Sequence, residues 1–186
     1  MFSKNISYQN FQKKRIISKK LKFLYKNLIE RRNNENNLIK SFTKSFSYSF
    51  SKKQLAKYKK YKIFQIYGMG GSSLGSQAIY DFMKHKIKKK FIFFDNLDLS
   101  NKKIKTKQKT FNIIISKSGN TLETIVNENI FSTKNKLFIT ENKNNYLRNL
   151  ASRLKAEIIE HKNFIGGRYS VLSEVGMLPA ELMGLD

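Results

Sequence analysis

From Lys62 onward the sequence alternates short apolar runs with segments of helical spacing, joined by small or polar residues. Ile63-Phe64-Gln65-Ile66-Tyr67 reads as a first strand, and Phe91-Ile92-Phe93-Phe94 as a second. Phe111-Asn112-Ile113-Ile114-Ile115 and Leu137-Phe138-Ile139 follow, with a weaker fifth strand at Ile158-Ile159. Helical spacing runs from Leu74 to Met83, from Thr121 to Phe131, and through Tyr146, Leu147, Leu150 and Leu154. A last helix is expected from Val171 to Met183, interrupted or restarted at Pro179, the only proline. Apolar strands separated by helices are buried on both faces, which is the pattern of a parallel sheet. The expected fold is α/β, a three-layer sandwich around a five-stranded parallel sheet. Right-handed crossovers put every strand-to-helix loop at the carboxyl edge of that sheet.

Three of these loops carry chemistry. Gly68-Met69-Gly70-Gly71-Ser72-Ser73 lies between the first strand and its helix, where glycines let the backbone approach a ligand. With Asp95 ending the second strand it also suggests a dinucleotide fingerprint, but Ser73 stands where the third glycine belongs. Ser116-Lys117-Ser118-Gly119-Asn120-Thr121 follows the third strand and opens a helix. Three hydroxyls converge there with backbone amides and a helix dipole, a setting for a phosphate dianion. Each hydroxyl can donate to a phosphate oxygen without adding a fixed charge. A helix cap accounts for one hydroxyl, not three. Gly166-Gly167-Arg168-Tyr169-Ser170 places an arginine between glycines and the last helix, and Arg168 is one of only six arginines among 37 basic residues. Arginine kept in so lysine-rich a chain points to planar, bidentate recognition.

Residues 1–60 read differently, as a basic helical arm ahead of a domain at 61–186. They hold 17 Lys and Arg against 2 Glu, most of the formal charge of +24. Phe11, Ile16, Ile17, Leu21, Leu24, Leu28 and Ile29 recur at helical steps; a serine-rich stretch and a short helix over Lys52–Lys60 follow. The charge invites a nucleic-acid reading. Enrichment in Lys, Asn, Ile, Phe and Tyr together is instead what AT-rich codons produce, and no aromatic-basic RNA-binding signature accompanies it. No specific nucleic-acid partner is expected. The absence of cysteine excludes a disulfide framework and a thiolate metal site. No run of eighteen apolar residues offers a membrane span. A cytoplasmic protein without membrane association is expected.

In order and spacing the three loops resemble the glucose-6-phosphate isomerase family. The tail Ile165-Gly166-Gly167-Arg168-Tyr169-Ser170-Val171-Leu172-Ser173 with Val175-Gly176-Met177-Leu178-Pro179 is the most specific part. The resemblance covers about 62–186 and implies the sugar-isomerase fold. It implies interconversion of glucose 6-phosphate and fructose 6-phosphate through an enediolate, with no metal and no organic cofactor. It places Gly71 and Ser72 beside the sugar, Ser116, Ser118 and Thr121 on the phosphate with the Lys117 amide, and Gly167 and Arg168 along the reacting carbons, Arg168 as the catalytic cation. In the family a glutamate base and the ring-opening histidine and lysine come from sequence beyond Asp186. Glu123 and Glu174 do not stand in for the base, and His85 and His161 match no family position. The expectation is therefore an N-terminal fragment, inactive alone, whose whole protein is a homodimer. The alternative reading is a stand-alone sugar-phosphate-binding regulatory module with the same hydroxyl loop.

Overall fold

The computed structural model describes residues 19–31, 38–97 and 109–185. Five strands form one parallel sheet: β1 (Ile63–Tyr67), β2 (Lys90–Phe94), β3 (Thr110–Ile115), β4 (Lys136–Thr140) and β5 (Glu157–Glu160). Their spatial order is β2-β1-β3-β4-β5. The helices are α1 (Lys19–Arg31), α2 (Lys52–Leu55), α3 (Leu74–Met83), α4 (Leu122–Phe131), α5 (Tyr146–Arg153) and α6 (Glu174–Met183). Phe11, Ile16 and Ile17 of the expected arm helix lie outside the described residues; its remainder forms α1, with Leu21, Phe23, Leu24 and Leu28 exposed.

Period-two alternation sends each strand's residues to opposite faces of the sheet. Phe64 and Ile66 of β1, Phe111, Ile113 and Ile115 of β3, and Leu137 and Ile139 of β4 pack with Leu55, Val175, Leu178 and Leu182. On the other face Tyr67, Ile114 and Phe138 pack with Phe131 of α4 and with Leu147 and Ala151 of α5. The β1–β2 seam carries two stacked aromatic pairs, Phe64–Phe91 at 4.9 Å and Tyr67–Phe94 at 4.6 Å between centroids. Each such pair contributes roughly 0.5–1.5 kcal/mol beyond its buried area.

Two features of the last helix depart from the sequence reading. Residues Gly167–Leu172 form 3-10 turns, and α6 begins only at Glu174. The chain folds back at Ser173, bringing the Val171 carbonyl so near Gly176 that a Cβ there would lie 2.0 Å from it. Pro179 sits inside α6 rather than interrupting it. Interior proline costs about 3 kcal/mol, and burial of Val175, Leu178 and Leu182 from the same helix offsets it.

Upstream, the segment before β1 is tied to the domain. The Ser49 amide donates to Glu174 Oε1 at 2.9 Å, Leu55 is fully buried, and Tyr58 packs on Phe111 with centroids 4.3 Å apart. Among the described residues no helix is long and apolar enough to cross a membrane.

Candidate functional site

The strand order reverses direction between β1 and β3, and ligands in open parallel sheets settle at such switch points, beyond the carboxyl ends of the strands. The loops there are Gly68–Ser73 and Ser116–Thr121. The residues after β5 complete the edge.

In the loop after β3 the hydroxyls are organised around Ser116, which is 2% exposed. Its Oγ lies 2.8 Å from Thr121 Oγ1 and accepts from the Gly119 amide at 3.2 Å. Ser118 Oγ accepts from the Asn120 amide at 3.3 Å, closing the turn. Thr121 is the N-cap of α4, yet its side chain caps no amide of that helix. The first-turn amides of α4 are thereby left for an anion. Gly119 has φ of +67°, and a Cβ there would stand 2.0 Å from Asn145 Oδ1. Glycine is required on both counts.

A cavity of about 360 Å³ opens in front of this loop, lined by Ser72, Lys117, Ser118, Thr121 and Glu141. Ser116 is not among the lining residues; its Oγ lies behind two that are, 2.8 Å from Thr121 Oγ1 and 3.5 Å from Ser118 Oγ. The Lys117 ammonium is engaged at the cavity wall: Nζ donates to the Asn163 carbonyl at 2.8 Å and lies 3.4 Å from Glu141 Oε1. Lys143 Nζ is 3.1 Å from the other carboxylate oxygen. Burial pushes the Glu141 carboxyl up, but hydrogen bonds and charge from Lys143 and Lys117 outweigh it and leave the group below its ordinary value.

The glycine-arginine loop meets the first loop by backbone contact. A Cβ on Gly71 would stand 2.1 Å from the Gly167 carbonyl oxygen. Ser170, 1% exposed, has its hydroxyl 3.0 Å from the Gly71 carbonyl and 2.7 Å from that of Gly167, joining the two turns. Beside this joint lies a cavity of about 700 Å³ lined by Gly71, Leu74, Gly75, Ala78, Ile79, Phe82, Gly167, Arg168 and Val171. Arg168 is exposed and, among the described residues, belongs to no ion pair. The eight residues singled out in sequence thus divide. Ser72, Lys117, Ser118 and Thr121 share the polar cavity over Ser116, and Gly71, Gly167 and Arg168 share the apolar one. Consecutive residues Gly71 and Ser72 join them.

Two contributors escaped the sequence reading. Asn145 is 5% exposed; its Oδ1 accepts from the Arg148 amide at 2.9 Å, and its Nδ2 donates to the Lys143 carbonyl at 3.1 Å. It is the wall behind Gly119, and its sequence signal is an asparagine just ahead of a helix. Glu141 has no local signal beyond its place one residue past β4. Of the two glutamates not expected to serve as base, Glu174 is fully buried on the Ser49 amide and Glu123 lines neither cavity. His161 is 1% exposed, and burial holds its imidazole below the ordinary value.

The family model described as phosphoglucose isomerase matches residues 12–186, well upstream of Lys62 where the motif resemblance begins. The chain belongs to the phosphoglucose isomerase family. Among curated relatives, the glucose-6-phosphate isomerase of Methanocaldococcus jannaschii is 37% identical over 148 residues, which cover 71% of this chain and 36% of that protein. That of Carboxydothermus hydrogenoformans is 32% identical over 152 residues, 68% of this chain and 33% of the relative. The chain spans about a third of the length of these relatives. Among solved structures, a hypothetical protein from Thermus thermophilus superposes with a TM-score of 0.66 at 21% identity, over 89% of this chain and 44% of its own. The C-terminal domain of a glucosamine-fructose-6-phosphate aminotransferase from Francisella tularensis does so with a TM-score of 0.54 at 13% identity, over 87% and 47%. At these identities the likeness establishes the fold alone. It is the sugar-isomerase fold expected of the family.

Proposed function

We propose that this chain supplies the phosphate-binding part of an aldose-ketose isomerase that interconverts glucose 6-phosphate and fructose 6-phosphate. The observation that carries the reading is the polar cavity at the sheet's switch point, walled by Ser72, Ser118 and Thr121 over Ser116 and adjoining the Arg168 loop. Residues 61–186 are the phosphosugar-binding domain in this reading, and 1–60 an upstream arm.

The phosphate rests on the Ser118 and Thr121 hydroxyls, the Lys117 amide and the N-terminal amides of α4, with Ser116 orienting Thr121. Binding this remote group fixes the sugar for reaction. Ser72 and Gly71 carry the sugar from the polar cavity toward Gly167 and Arg168. Proton transfer between C2 and C1 passes through an enediolate, whose oxygens gain negative charge absent from the substrate. A guanidinium beside them stabilises the intermediate more than the ground state. The proton itself is moved by a base outside these residues.

The test is a calorimetric titration of the 186-residue chain with glucose 6-phosphate and with glucose. The reading expects binding of the ester alone, weakened by Ser118→Ala. Equal binding of unphosphorylated glucose would refute it.

A further inference from the structure

In a chain of formal charge +24, the polar cavity is lined by one carboxylate and one ammonium that are paired with each other. A site built only to attract anions would carry no carboxylate. Glu141 is 7% exposed and held on three sides: its amide donates to the Lys117 carbonyl at 3.2 Å, and its two oxygens face Lys117 Nζ and Lys143 Nζ. Lys117 has a second partner as well, because the Asn163 carbonyl accepts a hydrogen bond from the same ammonium. Thr140 Oγ1 adds a longer contact to the Lys117 carbonyl at 3.4 Å.

We infer that Glu141 is a specificity-determining residue, which holds the Lys117 ammonium off the bound phosphate and sets the charge of the cavity. This rests on the polar cavity being the phosphate site. With the ammonium engaged elsewhere, the ester is recognised by neutral hydroxyls and backbone amides, groups that read shape and hydrogen-bond geometry. The carboxylate meanwhile opposes anions carrying more charge than a phosphate monoester. In a strongly basic protein that restraint has a purpose, since the general field draws every polyanion toward the surface. The same pairing makes Glu141 a poor general base, because two ammoniums stabilise its ionised form.

The inference makes a prediction of unusual sign: neutralising a wall residue of the site strengthens binding. Glu141→Gln keeps the side chain's size, removes its charge and leaves Lys117 Nζ only the neutral Asn163 carbonyl, which a phosphate dianion outcompetes. Inorganic phosphate then binds roughly tenfold more tightly, the yield of one charge-assisted hydrogen bond. Pyrophosphate gains more than phosphate, and the preference for glucose 6-phosphate over inorganic phosphate falls. Adding Lys117→Met to Glu141→Gln cancels the gain. Unchanged or weaker phosphate binding by a folded Glu141→Gln chain overturns the inference while leaving the site reading intact. No phosphate binding by the unsubstituted chain overturns both. A second readout needs no substitution at Glu141: the 15N signal of the Lys117 ammonium, assigned through Lys117→Arg, stays in place when phosphate saturates the unsubstituted chain. A shift comparable to those of the Ser118 and Gly119 amides would show the ammonium on the phosphate, and the inference would be wrong.

Discussion

The loop after β3 and the loop after β5 stand on the same edge of the sheet and are built by different means. The first is held by polar contacts: Ser116 with Thr121, Gly119 on Ser116, Asn120 on Ser118, with Asn145 behind. The second is held mainly by close approach at glycines, with Gly71 against Gly167 and Gly75 and Gly176 against Val171, and by one hydroxyl, that of Ser170, bonded to both turns. A hydrogen-bonded loop offers oriented donors to an anion. A glycine-packed joint offers a rigid mount for one large side chain, here Arg168. In the proposed function the difference separates charge recognition from placement of a reacting group.

The largest expected effect tests the glycine joint. Gly71→Ala puts a methyl group 2.1 Å from the Gly167 oxygen, and neither backbone can yield without moving the other. Destabilisation of about 3 kcal/mol is expected, the upper end of overpacking. Gly167→Ala meets nothing within 4 Å and stays within about 0.5 kcal/mol. Urea midpoints measure both. Equal losses would show that the joint is not steric.

Next comes the wall of the polar loop. Asn145→Ala removes the α5 cap and the support behind Gly119, with an expected cost of about 1–2 kcal/mol. It also weakens glucose 6-phosphate binding although Asn145 does not itself line the cavity. Full affinity in a destabilised variant would show that the hydroxyl loop stands without its wall.

The smallest effect concerns pH. The folded-state value of His161 is lowered by burial first and by Lys117 in addition. The unfolded chain therefore takes up the proton more readily. Stability is complete above about pH 6.5 and is lost as pH falls from there through the folded value. Urea midpoints between about pH 7 and pH 5 should slope downward with acidity. His161→Phe should flatten that slope, and an unchanged slope would assign it to other groups.

Most of the fold was legible because its signals are local. Ile63–Tyr67, with Gln65 its only polar residue, and Ile113–Ile115 carry apolar side chains to both faces, and the Leu74–Met83 helix has the bounds its spacing gives. The fold-back at Ser173 was not legible, since it depends on Val171 meeting Gly176 in space. The candidate site was legible where glycines and hydroxyls cluster along the chain. Its division into two cavities was not, nor was the burial of Ser116 behind Thr121 and Ser118. Glu141 and Asn145 follow β4, and only the sheet's pairing of β3 with β4 brings them to the hydroxyl loop. Parallel neighbours are joined through distant sequence, so side chains contributed by the next strand leave no mark in the motif.

The division of labour between the two loops is tested most directly by one comparison of affinities. Inorganic phosphate is titrated into the unsubstituted chain, into Ser118→Ala/Thr121→Val, and into Arg168→Lys, with glucose 6-phosphate as a second ligand. Loss of the two cavity hydroxyls should weaken phosphate binding at least about tenfold, as each hydrogen bond to a charged group contributes roughly 1.5–3 kcal/mol. Arg168→Lys should leave phosphate affinity within about twofold, its charge being kept and its distance screened. The reverse pattern, with Arg168→Lys losing phosphate and the hydroxyl variant retaining it, would contradict the account.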